Sequence, residues 1–166
     1  MITRPLPSFA GARIPHVPLP HICIEGPDWE DRTIDSGLWT AITFGAGKFV
    51  AGGGGGLGAE AIIAISEDFG ETWGPRLVPP AMFTGGPVQP EGLAYGNGVF
   101  VAFGNGLTHA TSVDGVTWTQ RSHPATGFTS LSFGNGLFVV TAGSGGYPFL
   151  TSTDGIAMTQ RTPPAA

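Results

Sequence analysis

The chain is short of charge. Asp, Glu, Lys and Arg make up 11% of its 166 residues, against roughly 25% in an ordinary soluble domain. Its seven cations, Lys48 and six arginines, are scattered and form no basic run. Neutralising nucleic-acid phosphates needs a clustered basic footprint, so no nucleic-acid partner is expected. A single cysteine, Cys23, excludes an intramolecular disulfide framework and any multi-cysteine metal site. It reads as a small buried apolar residue, with an intermolecular disulfide as the alternative. No run approaches the ~18 apolar residues that cross a bilayer, so membrane insertion is not expected. Pro5, Pro7, Pro15, Pro18 and Pro20 interrupt the N-terminal stretch and break any continuous apolar segment of a secretory signal.

What is present argues for a folded β protein. Eleven Phe and four Trp accompany regularly spaced Val and Ile, and the 28 glycines recur inside a repeated pattern, so they read as turn residues. One anchor is Phe44-Gly45-Ala46-Gly47-Lys48-Phe49-Val50-Ala51. It returns as Tyr95-Gly96-Asn97-Gly98-Val99-Phe100-Val101-Ala102 and as Phe133-Gly134-Asn135-Gly136-Leu137-Phe138-Val139-Val140. Asn and Gly tolerate positive φ, so each copy predicts a tight β-hairpin. Leu93 and Tyr95 before the turn, and Val99 and Val101 after it, alternate as half-buried strands would.

A second anchor, Ile65-Ser66-Glu67-Asp68-Phe69-Gly70-Glu71-Thr72-Trp73, recurs as Thr111-Ser112-Val113-Asp114-Gly115-Val116-Thr117-Trp118 and as Thr151-Ser152-Thr153-Asp154-Gly155-Ile156-Ala157-Met158. Thr-Gln-Arg follows in the two later copies. Each predicts a β-turn in which the carboxylate accepts backbone N–H groups, the serine adds a hydroxyl, the glycine supplies positive φ and the tryptophan packs inward. The three aspartates therefore read as turn formers.

The pattern Ser66-x-Asp68-x-Gly70-x-Thr72-Trp73 resembles the Asp-box, or BNR, repeat of sialidases and other β-propellers. The later copies are one residue shorter, and the third places Met158 where Trp is expected. The combined pattern also resembles repeats of bacterial and bacteriophage propeller-like proteins. The resemblance implies an all-β fold of about three four-stranded antiparallel blades, over 36–80, 81–125 and 126–166. Ahead of them, residues 1–20 predict an extended, proline-rich arm, whose Ile2, Leu6, Phe9, Ile14, Val17 and Leu19 suit docking on a neighbour. Within 21–35, Gly26, Trp29 and Arg32 align on Gly115, Trp118 and Arg121. That alignment would make the segment half of a further blade; chance similarity over eight residues is the competing reading.

Sialidase chemistry would need an arginine triad, a Tyr–Glu nucleophile pair and an Asp acid/base. Arg76, Arg121 and Arg161 instead lie at matching ends of successive repeats, and of the two tyrosines, Tyr95 and Tyr147, the first fills the core aromatic slot. His16, His21, His109 and His123 are dispersed and read as structural. Adjacent carboxylates such as Glu30-Asp31 and Glu67-Asp68 point to opposite faces of a strand. The acidic group Glu25, Asp28, Glu30, Asp31 and Asp35 reads as a solvated face. Gly52–Gly58 lacks the Gly-Lys-Ser/Thr of a phosphate loop and reads as a loop between strands, comparable to 104–107 and 143–148, where a ligand would bind. No catalytic residue, cofactor or metal is expected.

The expected function is that of a structural bacteriophage virion component: a tail, baseplate or capsid-decorating protein assembled in the host cytoplasm. It would be a homo-oligomer, tied by its arm to other virion proteins, with host-surface glycans as the natural ligand of its loops. Low charge and an incomplete blade count motivate this reading, since closed propellers hold four to eight blades. The alternative is a stand-alone bacterial carbohydrate- or protein-binding propeller module.

Overall fold

The computed structural model describes residues 31–54, 60–75, 77, 83, 89–104, 106–124, 127–142 and 149–162. The arm 1–20, residues 21–30 and the loop 143–148 lie outside the described residues, and 31–35 carry no strand.

Among the described residues, three antiparallel sheets follow one another along the chain. Sheet 1 runs β1 (Leu38–Gly45), β2 (Lys48–Gly54), β3 (Ala61–Ser66), in that spatial order. Sheet 2 contains β4 (Gly92–Gly96), β5 (Val99–Phe103), β6 (Thr108–Ser112) and β7 (Thr119–Ser122). Sheet 3 contains β8 (Phe128–Gly134), β9 (Leu137–Ala142), β10 (Phe149–Ser152) and β11 (Thr159–Arg161). Each sheet is an up-and-down meander, the topology of a propeller blade.

The inner hairpins turn on residue pairs with φ positive at both positions: Ala46 and Gly47 (49° and 78°), Asn97 and Gly98 (49° and 82°), Asn135 and Gly136 (50° and 76°). Two such residues in succession match the right-handed twist of the flanking strands.

Sheet 1 departs from the expected four strands. Among the described residues its fourth position holds one bridge, Ile63 with Leu77, joined by two hydrogen bonds of 2.9 and 2.7 Å. The Thr-Gln-Arg of the later repeats is replaced here by Gly74-Pro75-Arg76-Leu77, with Pro79 and Pro80 close behind. Proline brings no N–H to a ladder. The expected Gly52–Gly58 loop is also corrected in part: Gly52, Gly53 and Gly54 are the end of β2, paired with Ile63, Ile62 and Ala61. A Cβ on Gly52 would stand 2.9 Å from both Leu93 and Pro90, so glycine lets the second sheet come close.

The half-buried alternation expected around Val99 is corrected as well. All five residues of β5 are buried, because sheet 2 lies between the other two and alternate side chains serve different neighbours. Leu93, Phe100, Ala102, Ala110 and Trp118 join Val50 and Ile63 of sheet 1 in one core. Ala94, Val99, Val101 and Phe103 join Phe128, Leu131, Phe138, Val140 and Leu150 of sheet 3 in another. Fully burying a side chain such as Phe100 is worth roughly 2–3 kcal/mol, and the middle sheet collects that gain on both faces.

The two sheet–sheet contacts repeat the same device. A Cβ on Gly45 would lie 2.0 Å from the Tyr95 ring, and one on Gly96 would lie 2.3 Å from the Phe133 ring. The aromatic residue of each sheet thus rests on the hairpin glycine of the sheet before it. At the second contact the turn residue Asn97 also donates to Gly136 O (3.2 Å) and Thr153 O (2.8 Å). Ala46 occupies the matching turn position at the first contact and offers no such donor.

Two substitutions are expected to act in opposite directions. Gly96→Ala forces the Phe133 ring to move and should destabilise by roughly 1–3 kcal/mol. Ala46→Asn suits its positive φ and supplies the missing donor, so it should stabilise by about 1 kcal/mol. Urea unfolding monitored by tryptophan fluorescence measures both.

Candidate functional site

The aspartate turns are built almost alike. Ser66, Ser112 and Ser152 each donate from Oγ to the Oδ1 of Asp68, Asp114 and Asp154 at 2.8 Å. The same Oγ accepts the N–H of Gly70, Gly115 and Gly155 at 2.8, 2.8 and 2.9 Å. Asp114 Oδ1 accepts from the N–H groups of Val116 (2.8 Å) and Thr117 (2.7 Å), and Asp154 Oδ1 from those of Ile156 (2.8 Å) and Ala157 (3.1 Å). Asp68, in the longer turn, accepts the N–H of Thr72 at 2.9 Å and its hydroxyl at 2.5 Å.

These bonds hold the carboxyls below their ordinary range. Asp68 is lowered to about 2, chiefly by the Thr72 hydroxyl and N–H. Asp114 is lowered to about 2, chiefly by the Thr117 N–H. Asp154 shifts the same way, led by the Ile156 N–H.

The turns also reach across the sheets. Gly115, at φ 79°, lies against Val50 of sheet 1; a Cβ there would stand 3.1 Å from its Cγ2. Gly155, at φ 72°, lies against Val101 of sheet 2, with the corresponding distance 2.5 Å. Trp118 is buried and donates from Nε1 to Gly115 O at 2.9 Å. Trp73 is only half-buried, since no sheet covers it among the described residues. Met158 packs half-buried on the second core.

The structure gathers two histidines that the sequence reading treated as dispersed. His109 and His123 stand 5.6 Å apart by ring centroids, with Phe103 stacked on His109 at 4.8 Å and Phe128 edge-on to His123 at 5.3 Å. Pairing of β6 with β7 sets His109 opposite Arg121, which brings His123 into reach. His109 Nε2 donates to Gly155 O at 3.0 Å, so its Nδ1 is the unprotonated nitrogen, and that atom has no hydrogen-bond partner. Burial drives the His109 pKa down to about 4, with the nearby His123 and Arg121 adding to the shift. His16 and His21 lie outside the described residues.

Arg121 and Arg161 belong to different sheets and each donates from Nε to a threonine across the strand, Thr111 at 3.3 Å and Thr151 at 3.1 Å. They do not converge; Arg76 and Tyr147 lie outside the described residues. Among the described residues, no group of three or more His, Cys, Asp or Glu side chains comes together, and no helix is long and apolar enough to cross a membrane.

Among the described residues, the outer faces of sheets 1 and 3 are open. On sheet 1, Ile42, Phe44 (47% exposed) and Phe69 (78% exposed) face outward, with Phe44 4.9 Å from Phe49 and stacked on Phe69 at 6.3 Å. Phe69 holds φ at 61°, an unusual conformation for a bulky residue. Beside them an open pocket of about 380 Å³ is lined by Ile34, Trp39, Thr40, Ala41, Ile42, Ala51 and Trp73. Sequence reasoning missed this face, although Ile42 and Phe44 stand at the repeat positions of Leu93 and Tyr95. On sheet 3, Phe149 is exposed and Leu137 and Val139 are half-buried. The apolar arm positions Ile2, Leu6, Phe9, Ile14, Val17 and Leu19 lie outside the described residues.

No protein family and no curated protein matches the sequence. Among solved structures, the chain is similar to YCF48 bound to D1 peptide, with TM-score 0.55 and 18% identity, over 80% of this chain and 42% of that one. It also matches the glutaminyl cyclase of Myxococcus xanthus, with TM-score 0.43 and 13% identity, over 70% and 48% of the two chains. The chain thus spans less than half the length of either. The first likeness establishes the fold: an all-β, propeller-like repeat of three antiparallel sheets.

Acid should weaken the fold in two stages. His109 has a lower pKa folded than unfolded, so its contribution is complete above pH 6.5 and is lost as pH falls towards 4, on the order of 2–3 kcal/mol. Asp68 and Asp114 contribute fully above pH 3.8 and lose that contribution as pH falls towards 2, and Asp154, also lowered, loses its contribution in the same direction. Urea midpoints against pH should show both steps, and His109→Gln should flatten the first. An unchanged first step in that variant would remove His109 as its source.

Proposed function

We propose that the chain is a structural component of a bacteriophage virion, a tail, baseplate or capsid-attached protein. The observation that carries this reading is the pair of uncovered end sheets. Ile42, Phe44 and Phe69 expose an apolar face at one end of the array and Phe149 stands exposed at the other, on a chain with 11% charged residues. Large uncovered apolar surface marks an interaction site, and an array open at both ends suits a part used in assembly. The internally satisfied aspartate turns support a scaffold role, because their hydrogen-bonding capacity is spent on the turn.

The pocket beside Trp39 and Trp73 favours a second reading, a carbohydrate- or protein-binding module, since indole faces are good stacking platforms. Host-surface glycan would be its ligand class, and the same surface would serve adhesion by a particle.

Mass spectrometry of density-purified phage particles from a host that carries this gene tests the first reading. The chain is expected at a fixed stoichiometry to the major structural proteins; its absence from particles while present in the lysate would overturn the reading. Binding of the purified chain to host surface polysaccharide, abolished by Trp73→Ala, would favour the second.

A further inference from the structure

The two internal contacts define a docking rule that can be read at the uncovered ends. The rule has three parts. The aromatic residue of a following sheet covers the hairpin glycine of the preceding one, as Tyr95 covers Gly45 and Phe133 covers Gly96. The turn asparagine of the preceding sheet donates to carbonyls of the following one, as Asn97 does to Gly136 and Thr153. The aspartate-turn glycine of the following sheet lies on a valine of the preceding one, as Gly115 does on Val50 and Gly155 on Val101.

Sheet 3 presents the whole preceding half of this rule without a follower. Gly134 is exposed, and a Cβ placed there meets nothing within 4 Å. Asn135 stands exposed at the hairpin tip, and Val139 is half-buried at the repeat position of Val50 and Val101. Sheet 1 presents the following half without a predecessor. Phe44 is exposed where Tyr95 and Phe133 are half-buried, and a Cβ on Gly70 likewise meets nothing within 4 Å. The first aspartate turn is one residue longer and adds Phe69 to the same face.

We infer that these two faces bind each other between two copies of the chain: Phe44 of one copy covers Gly134 of the other, head to tail, and the two copies close a six-bladed ring. The ring size follows from counting. Closed propellers hold four to eight blades, and three described blades per copy fall within that range at two copies and at no other number. Head-to-tail contacts close into a ring when their rotation permits, so the pair contains the same interface twice. The inference rests on reading the chain as an assembly part, and it names the first partner in that assembly as a second copy.

Light scattering coupled to size exclusion, on the full 166-residue chain, tests it. The expected mass is about twice 17.0 kDa; a monomer at ~100 µM, the regime of weak association, or a trimer or open filament, would overturn the ring. Gly134→Val places a side chain where Phe44 of the other copy must sit, yet meets nothing within its own chain. It should dissociate the pair at least ~100-fold, as tenfold at each of two interfaces, with no loss of far-ultraviolet circular dichroism. A Gly134→Val chain that remains a dimer would overturn the proposal. Phe44→Ser, at the opposite end, should have the same effect and carries the test should Gly134→Val fail to fold.

Mixing the two variants is diagnostic. One interface in the mixed pair keeps both native residues, so a heterodimer should reappear; a contact of like face with like face would give no recovery and would overturn the head-to-tail arrangement. A monomeric chain found in purified particles would remove this inference and leave the particle reading standing. A dimer absent from particles would do the reverse.

Discussion

The fold depends on how closely one sheet approaches the next. β5 buries every residue, which works only if a sheet presses on each side, and sheets come that near only where side chains stand aside. Gly45 and Gly96 make that room at the hairpin bases, and the rings of Tyr95 and Phe133 fill it. Without a Cβ at these two positions, an aromatic ring comes directly against backbone at the edge of the core. The inner hairpin, often regarded as a connection, is thus also the seat of the next sheet.

The aspartate turns serve the same constraint from the other side. The network of serine hydroxyl, carboxylate and backbone N–H groups fixes Gly115 and Gly155 at positive φ, so that their bare α-carbons press on Val50 and Val101. A carboxylate already accepting several donors has little left to offer a ligand, and one held ionised to about pH 2, as Asp68 and Asp114 are, has no proton to give at neutral pH. The chemistry of these residues is spent on shape. His109 extends the arrangement by donating to Gly155 O, which ties the second sheet to the third through a buried imidazole that must stay neutral.

The legible parts of this structure are the local ones. The Asn-Gly turns, the Ser–Asp–Gly networks and the blade-length repeat are set by residues within a few positions of each other, and the sequence spells them out. What escaped was non-local. The run Val99 to Phe103 is apolar at every position, a mark of a strand covered on both faces, although Leu93, Tyr95, Val99 and Val101 alternate as a half-buried strand would. Among the described residues sheet 1 has a single bridge at its fourth position, and Pro75, two residues before Leu77, cannot donate to a ladder. The His109–His123 pair depends on strand register across the second turn, which single residues do not announce. The glycines before each turn looked like turn residues; their role in sheet approach appears only once the next sheet is in place.

Repeat arrays that end in solution usually finish with atypical, polar-faced terminal units. The described end sheets show no such adaptation. Ile42 and Phe44 keep the residue types that Leu93 and Tyr95 use against a neighbour, and Gly134 keeps the bare position that Gly45 and Gly96 need beneath a ring. A strand surface that carries a glycine for a ring to rest on, with no ring on it, is costly to keep in isolation, because glycine weakens a strand that has nothing to gain from its small size. That cost makes sense when the ring arrives from outside the array. On the head-to-tail pairing proposed above, these end faces would be interior surface, made from the same residues as the two contacts already formed within the chain.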